Sequence, residues 1–412
     1  MKLLKQLIFF KKNNSYELSV FYNLIFQLNI LMKIPLDRLN KELNSNLLFW
    51  MNNAIQPDRK QLYASISVDG IPDISAPLGV MYLSRVLYGA STACRVLETE
   101  SFGELASISF KELKNFTNPK GGFYWAKNTS NSPIHDSENV NMAQAFVLYG
   151  LLAYASIKPS LELDKMIEKQ AEFIINNLYD FKNKGFIDGF DENWILGSTP
   201  SKAFGTHIHL LESFVKLYEY NKSEKTVLLI EELITIILEH FITKDTFDCL
   251  HRLTPDWKVK ENEIWAGHNA ECSWILCWAA KSIKNEKLID ACNALSLNIM
   301  EQVIKKAFDT KNGGVYNVLK NNLPTEDFKI WWPQAEVVLA LLNCYSISKD
   351  VKYKTQALAL MDYISDNFIA ENGEWFTEIF DNGKPNASIP IIHFWKSMYH
   401  TVRYYAEIKE NY

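Results

Sequence analysis

Apolar residues recur at helical spacing through most of this chain. The runs AQAFVLYGLLAYA (143–155), LLIEELITIILEHF (228–241), LIDACNALSLNIMEQVI (288–304) and KTQALALMDYISDNF (354–368) place them three and four apart, which predicts helices. Strand-like alternation is confined to short pieces, and those pieces recur. NPKGGFYW (118–125), KNKGFIDGF (182–190), TKDTFDCL (243–250), KNGGVYNV (311–318) and ENGEWFTE (371–378) each join a polar turn to an aromatic or β-branched pair. Their spacing is roughly 60 residues, room for two helices and their connections. QLYASISVDG (61–70) falls in the same series with a degraded turn, which gives about six units.

A helical hairpin cannot bury its apolar face alone. Six in sequence can close into a ring, with inner helices around a central cavity and outer helices enclosing them. An open solenoid is the alternative, but it needs polar end caps and usually a shorter repeat. Aromatic residues make up 13% of the 412, which favours the closed, pocket-bearing form. The expected fold is therefore all-α: six helical hairpins with short β-hairpin-like loops at one end.

The N-terminus stands apart. MKLLKQLIFF meets charge too soon to span a bilayer, and LSVFYNLIFQLNIL is broken by Asn23, Gln27 and Asn29. No small-residue cleavage site comes after it. MKIPLDRLNKEL, from Met32, reads as a natural start. Residues 1–31 are expected to be an extension outside the core fold, with 32–412 a single domain; a membrane-touching amphipathic helix is the alternative for the extension.

Composition narrows the function. The chain is 48% hydrophobic and 22% charged, a globular balance with ample core. Net charge is −5 and no lysine or arginine cluster suggests a nucleic-acid groove. Six scattered cysteines without a CxxC pair read as core thiols in a reducing compartment, so the expected location is cytoplasmic. Neither a phosphate loop nor a dinucleotide fingerprint appears, and no cofactor is expected.

The candidate chemistry lies in polar residues set inside apolar helices. In IWAGHNAECSW (264–274), His268 and Glu271 share a helical stripe with Ile275 and Trp278. A histidine in a first turn feels the positive end of the helix dipole, which favours the neutral ring, while an ionised Glu271 pulls the other way. That combination suits a general acid or base; a structural His–Glu bond is equally open. The metalloprotease pattern HExxH is absent, so no metal is expected. In HFWKSMYHTVRYYAEI (393–408), His400 and Arg403 share a face near Trp395 and Tyr399. A buried arginine there needs an anion or a carbonyl. In KIWWPQAEVVLALLNCY (329–345), Trp331 and Trp332 precede Pro333 and so sit at a loop or helix entrance, while Gln334 and Glu336 enter an apolar helix. In AFGTHIHLLESFVKLYEY (203–220), His207 and His209 point to nearly opposite faces. His209, which shares a face with Glu212, is expected at the cavity and His207 in the structure. Arg85, in LSRVLYGAS (83–91), also needs a partner, and an ordinary ion pair would serve. One axial pocket would satisfy all these groups together, where separate buried pairs would each carry a desolvation cost.

The motifs GHNAECSW, WWPQAE, THIHLLESFVKLY, WKSMYH followed by TVR, and RVLYGAS resemble those of the N-acylglucosamine 2-epimerase superfamily, which includes cellobiose 2-epimerases and mannose isomerases. The resemblance runs from about Leu48 to the C-terminus with the motifs in order. It implies an (α/α)6 barrel, catalytic histidines at His268 and His400, and a supporting Glu271. It also implies sugar-binding roles for Arg85, His209, Trp331, Trp332, Glu336, Trp395 and Arg403. There are departures. The family often has a lysine and a tyrosine in DxxKxxYxQAF, where DSENVNMAQAF has Asn139 and Met142. An asparagine before the THLH motif is Gly205 here, and KQLYASISVDG replaces the first glycine-rich hairpin.

The resemblance implies chemistry at C2 of a reducing aldose. Removing the proton beside the C1 carbonyl gives an enediolate; its return to the opposite face of C2 is epimerisation, and its return to C1 is aldose–ketose isomerisation. Imidazoles, with an ordinary pKa of about 6.5, suit that traffic. Glu271 is expected to orient His268, and Arg85 to hold the oxyanion. The expected partner is a small sugar, with no nucleic acid, little case for a membrane, and a monomer or homodimer. A glycoside hydrolase using Glu271 and Glu336, or a non-catalytic sugar-binding protein, are the rivals.

Overall fold

The computed structural model describes residues 33–58, 60–261 and 263–412. The expectations for residues 1–31 lie outside the described residues. Twelve α-helices occur among the described residues, in alternation. The outer set is α1 (Leu36–Asn53), α3 (Gly103–Lys114), α5 (Leu161–Asn177), α7 (Glu224–Ile236), α9 (Glu286–Ala307) and α11 (Val351–Tyr363). The inner set is α2 (Val80–Val96), α4 (Val140–Ala155), α6 (Phe204–Asn221), α8 (Ala266–Ser282), α10 (Trp331–Ser348) and α12 (Met398–Asn411).

Sequence pattern separates the two sets. On α1 only Leu39, Leu43, Asn46, Leu47, Phe49 and Trp50 are buried, the single stripe of a helix with one wet face. On α2 every residue from Val80 to Cys94 is buried, as expected of a helix enclosed on all sides. Each inner helix packs on the next, and α12 packs back on α2 to close the ring. The closure is tight: a Cβ on Gly89 would lie 2.5 Å from Cβ of Met398.

All six recurrent turns are hairpins, one after each outer helix. Bridges pair Ile55 with Leu62, Thr117 with Phe123, Tyr179 with Phe186, Ile242 with Cys249, Phe308 with Val315 and Ile369 with Trp375. The first hairpin is thus present, turning at Lys60 (φ 52°) rather than within QLYASISVDG, and the glycine-less fourth turns at Phe247 (φ 54°). Four are stapled by a polar residue near the start of an inner helix. The N–H groups of Phe123, Phe186, Cys249 and Val315 donate to Gln144 Oε1 (2.9 Å), His207 Nε2 (3.0 Å), Asn269 Oδ1 (2.9 Å) and Gln334 Oε1 (2.8 Å). His207 is one of these staples. Its Nδ1 donates to the Ala203 carbonyl at 2.8 Å, and burial pushes it down to about 3.

The first hairpin is held differently. The Leu62 N–H donates to Glu112 Oε2 of α3 at 2.9 Å, and burial pushes this carboxyl up to about 7. An acid whose folded pKa lies above its unfolded one, here 4.5, binds more protons when folded, so its charge costs stability as pH rises between the two. A glutamine can still accept the Leu62 N–H. Glu112→Gln should therefore leave urea stability unchanged near pH 4 and raise it by about 3 kcal/mol near pH 8. An equal effect at both pH values would contradict the assignment.

Short strands run directly into the inner helices: Leu78–Gly79 into α2, Leu196–Ala203 into α6, Ile264–Trp265 into α8 and Phe328–Ile330 into α10. They wall one end of the barrel, where the N-termini of the inner helices converge. No helix among the described residues is long and apolar enough to cross a membrane. All six cysteines are buried free thiols.

Candidate active site

The converging helix N-termini enclose a cavity of about 800 Å³. Each inner helix contributes first-turn or second-turn residues to it. Arg85 comes from α2, Met142 from α4, Gly205 and His209 from α6, His268 and Glu271 from α8, Trp331 and Trp332 from α10, and His400 from α12. Trp395 comes from the loop before α12. Six positive helix ends face this space, a setting that favours a developing anion.

Below it lies a buried ionic floor centred on Arg403. Its Nη2 meets Glu271 Oε1 at 2.7 Å and Glu336 Oε1 at 2.6 Å, and its Nη1 meets Glu212 Oε1 and the Tyr399 hydroxyl. The Tyr399 hydroxyl donates to Glu212 Oε2 at 2.7 Å. Two of these carboxylates each hold an imidazole: His209 Nδ1 lies 2.7 Å from Glu212 Oε2, and His400 Nδ1 lies 2.8 Å from Glu336 Oε1. Trp274 Nε1 donates to the other oxygen of Glu336 at 3.1 Å.

Burial alone would raise all three carboxyls. Arg403 and His400 nevertheless bring Glu336 down to about 2, and Arg403 with His209 lowers Glu212. Glu271 goes the other way: burial and the neighbouring Glu336 charge lift it well above the usual carboxylate range. Arg85 is lowered to about 10 by burial and stays charged at neutral pH. Glu212 and Glu336, both held down, thus share the Arg403 guanidinium, while Glu271 is shifted towards its neutral form.

The histidines differ in their support. Burial lowers His400 to about 3, opposed by the Glu336 carboxylate. His268 is lowered well below its ordinary value by burial and by its histidine neighbours, with no carboxylate in opposition. Its ring lies near-parallel to those of His251 (5.6 Å) and Trp265 (5.0 Å), and its Nδ1 is buried without a partner. Trp332 touches both imidazoles, 5.4 Å from His268 and 5.3 Å from His400 by ring centroids.

Several expectations change. Glu271 makes no hydrogen bond to His268 among the described contacts, and its Oε1 meets Arg403 instead; of the two proposed catalytic histidines, the one held by a carboxylate is His400, by Glu336. Glu336 and Arg403 are fully buried and lie beneath the cavity rather than on it. Trp331 and Trp332 are the first residues of α10, so of the two placements expected they take the helix entrance. Arg85 forms no ion pair among the described contacts. It donates to the Trp395 carbonyl at 3.1 Å and lies over the Phe146 ring at 4.1 Å. Trp395 is 41% exposed at the mouth. The departures Asn139, Met142 and Gly205 line one wall together, and a Cβ on Gly205 would reach 3.4 Å from Met142 Sδ, so the thioether fills the space beside the missing side chain.

Residues missed by the sequence reading include His251, Arg252, Trp265, Asn317 and His393, all lining the cavity from strands and loops. Tyr399 and Trp274 were within reach of helical periodicity, four residues before Arg403 and three after Glu271. One cluster has ligand-like spacing: Glu271, Glu336 and His400 bring one potential ligand atom each within 4.8 Å of one another. The guanidinium of Arg403 already occupies the two carboxylate oxygens there.

The N-acylglucosamine 2-epimerase (GlcNAc 2-epimerase) family model matches residues 62–403. The chain belongs to this family. Among its relatives is a cellobiose 2-epimerase of Dictyoglomus turgidum, 30% identical over 392 residues, 89% of this chain and 98% of the relative. A D-mannose isomerase of Marinomonas mediterranea is 22% identical over 306 residues, 68% of this chain and 73% of the relative. Among solved structures, the cellobiose 2-epimerase of Spirochaeta thermophila superposes with a TM-score of 0.83 at 25% identity, covering 91% of this chain and 96% of that one. Family membership and the closed ring agree on an (α/α)6 barrel, a fold shared with sugar epimerases and isomerases.

Proposed function

We propose that this protein epimerises the C2 centre of a reducing aldose, with His268 and His400 as the acid/base pair. The observation that carries the reading is that both imidazoles line one cavity with a single indole against each. Glu336 behind His400 accepts a hydrogen bond from Nδ1–H, which leaves the Nε2 lone pair as the working site. One imidazole removes the C2 proton; the C–H electron pair forms the C1=C2 bond and the carbonyl π pair moves onto O1. The second ring, as imidazolium, returns a proton to the other face of C2 while the O1 charge reforms the carbonyl. One proton leaves and one arrives, and the two rings exchange protonation states. Of the two rings, His400 is the one with a carboxylate, Glu336, behind it to support the protonated form. The enediolate charge, beside Arg85 and the helix ends, supplies the further stabilisation its burial withholds.

Metal-free chemistry fits this site because Arg403 takes the place between the carboxylates. The same contacts count against hydrolysis. Glu271 and Glu336 share one Arg403 nitrogen and Glu336 does not reach the cavity, so they are not placed on two sides of a glycosidic bond. The cavity is larger than one hexose ring requires. Trp265 and His251, stacked beside His268, extend the lining beyond the two catalytic rings. This and the cellobiose 2-epimerase relatives favour a disaccharide with a reducing aldose end.

The test is incubation with cellobiose, glucose, mannose and N-acetylmannosamine in deuterated water, then NMR of the products. Deuterium at C2 and a C2-epimeric disaccharide are expected, undiminished by a chelator. Ketose as sole product selects isomerisation, glucose released from cellobiose selects hydrolysis, and no exchange into any sugar rejects the reading.

A further inference from the structure

Gly267, beside His268 in the first turn of α8, has no conformational reason to be glycine, since its φ lies outside the left-handed region. Glycine is the poorer helix former at such a position. The reason is space. A Cβ there would lie 2.2 Å from Cζ3 and 2.3 Å from Cη2 of Trp332, with Cε3 at 3.0 Å. The six-membered ring of the indole rests on the bare backbone of α8.

That backbone cannot retreat. The Ala266 N–H donates to the Asn317 carbonyl at 2.8 Å and the Gly267 N–H to Asn317 Oδ1 at 3.2 Å, and Asn317 is itself buried. Any added atom must move the indole instead. Its aromatic neighbours are the two imidazoles and it lines the cavity, so a displaced indole shifts relative to both rings.

We propose that Gly267 is a positioning residue that seats Trp332 as the spacer between His268 and His400, and that this seat sets where the enediolate is reprotonated. The inference rests on the two-imidazole reading above. C1 and C2 of an enediolate are one bond apart, so a small shift of one imidazole relative to the sugar decides between epimer and ketose. A misplacement of about 1 Å can cost about a hundredfold in rate.

The experiment compares wild type, Gly267→Ala, Trp332→Phe and the double variant on cellobiose in deuterated water, recording kcat, KM, C2 exchange and the epimer-to-ketose ratio. Gly267→Ala should lower kcat for epimer at least about tenfold, change KM far less, and shift the product ratio, with the native circular dichroism spectrum kept. Trp332→Phe, whose smaller ring clears the alanine, should restore part of kcat in the double variant. Wild-type kcat and product ratio in Gly267→Ala would overturn the proposal. Should that variant not fold, Trp332→Phe alone decides: an unchanged ratio and rate overturn it equally. Absence of C2 exchange in the wild type sinks the parent reading instead, which keeps the two failures distinct.

Discussion

Replacing His400 by asparagine is expected to slow exchange of the sugar C2 proton with deuterated water about a thousandfold, the scale of a lost general acid/base group. The circular dichroism spectrum should not change. His400 is buried on α12, and its Nδ1 is committed to Glu336 at 2.8 Å. Glu336 is held down to about 2, so it is ionised and must receive that proton rather than give one. An asparagine amide can still donate to Glu336 and occupies much of the same volume, but it accepts no proton at neutral pH. The variant thus removes the proton carrier while keeping the bond to the floor. Near-normal exchange would take His400 out of the acid/base pair. Exchange lost together with the native spectrum would show instead that the Glu336 contact carries the fold, a result the asparagine bond to Glu336 argues against.

How much of this was legible in the sequence depended on which element carried the residue. Helical periodicity exposes polar residues in apolar surroundings, so His268, Glu271, His400, Arg403, His209 and Glu336 stood out, as did the six-unit repeat. Periodicity ranks residues by face within one helix but does not say which helices meet. His268 and Glu271 share a stripe, yet Glu271 leans across to Arg403 of α12, and the partner of His400 comes from α10. Sequence spacing therefore paired the wrong carboxylate with the wrong histidine. Strand and loop residues such as His251, Trp265 and His393 carry no such period, and their place on the cavity comes from the closed ring alone. The first hairpin escaped clear recognition for a simpler reason: its turn uses Lys60 at φ 52° where the eye looks for glycine. Gly267 was legible as a glycine, but its sequence neighbourhood does not point to the indole that lies on it.

The largest effect on stability is expected at Arg403. Arg403→Leu should lower the free energy of unfolding at neutral pH by about 3–5 kcal/mol, the range for a buried charge cluster that loses one partner. The side chain is fully buried and touches Glu212, Glu271 and Glu336. Glu271 is already lifted towards its neutral form, so the charges stranded by the change are those of Glu212 and Glu336. In the wild type Glu336 sits near 2, below its unfolded value of 4.5, so it contributes stability above 4.5 that is lost as pH falls towards 2. In Arg403→Leu the same carboxyl, buried without a counter-charge, shifts above 4.5, and its penalty appears as pH rises. Both trends make the two proteins differ most at neutral pH and above, and the difference shrinks as pH falls through 4.5 towards 2. Urea denaturation of both at several pH values measures this directly. A difference that stays constant with pH would mean that the floor is neutral in the native protein. In that case the guanidinium acts by shape, and the ionised Glu336 invoked behind His400 could not be what fixes its tautomer.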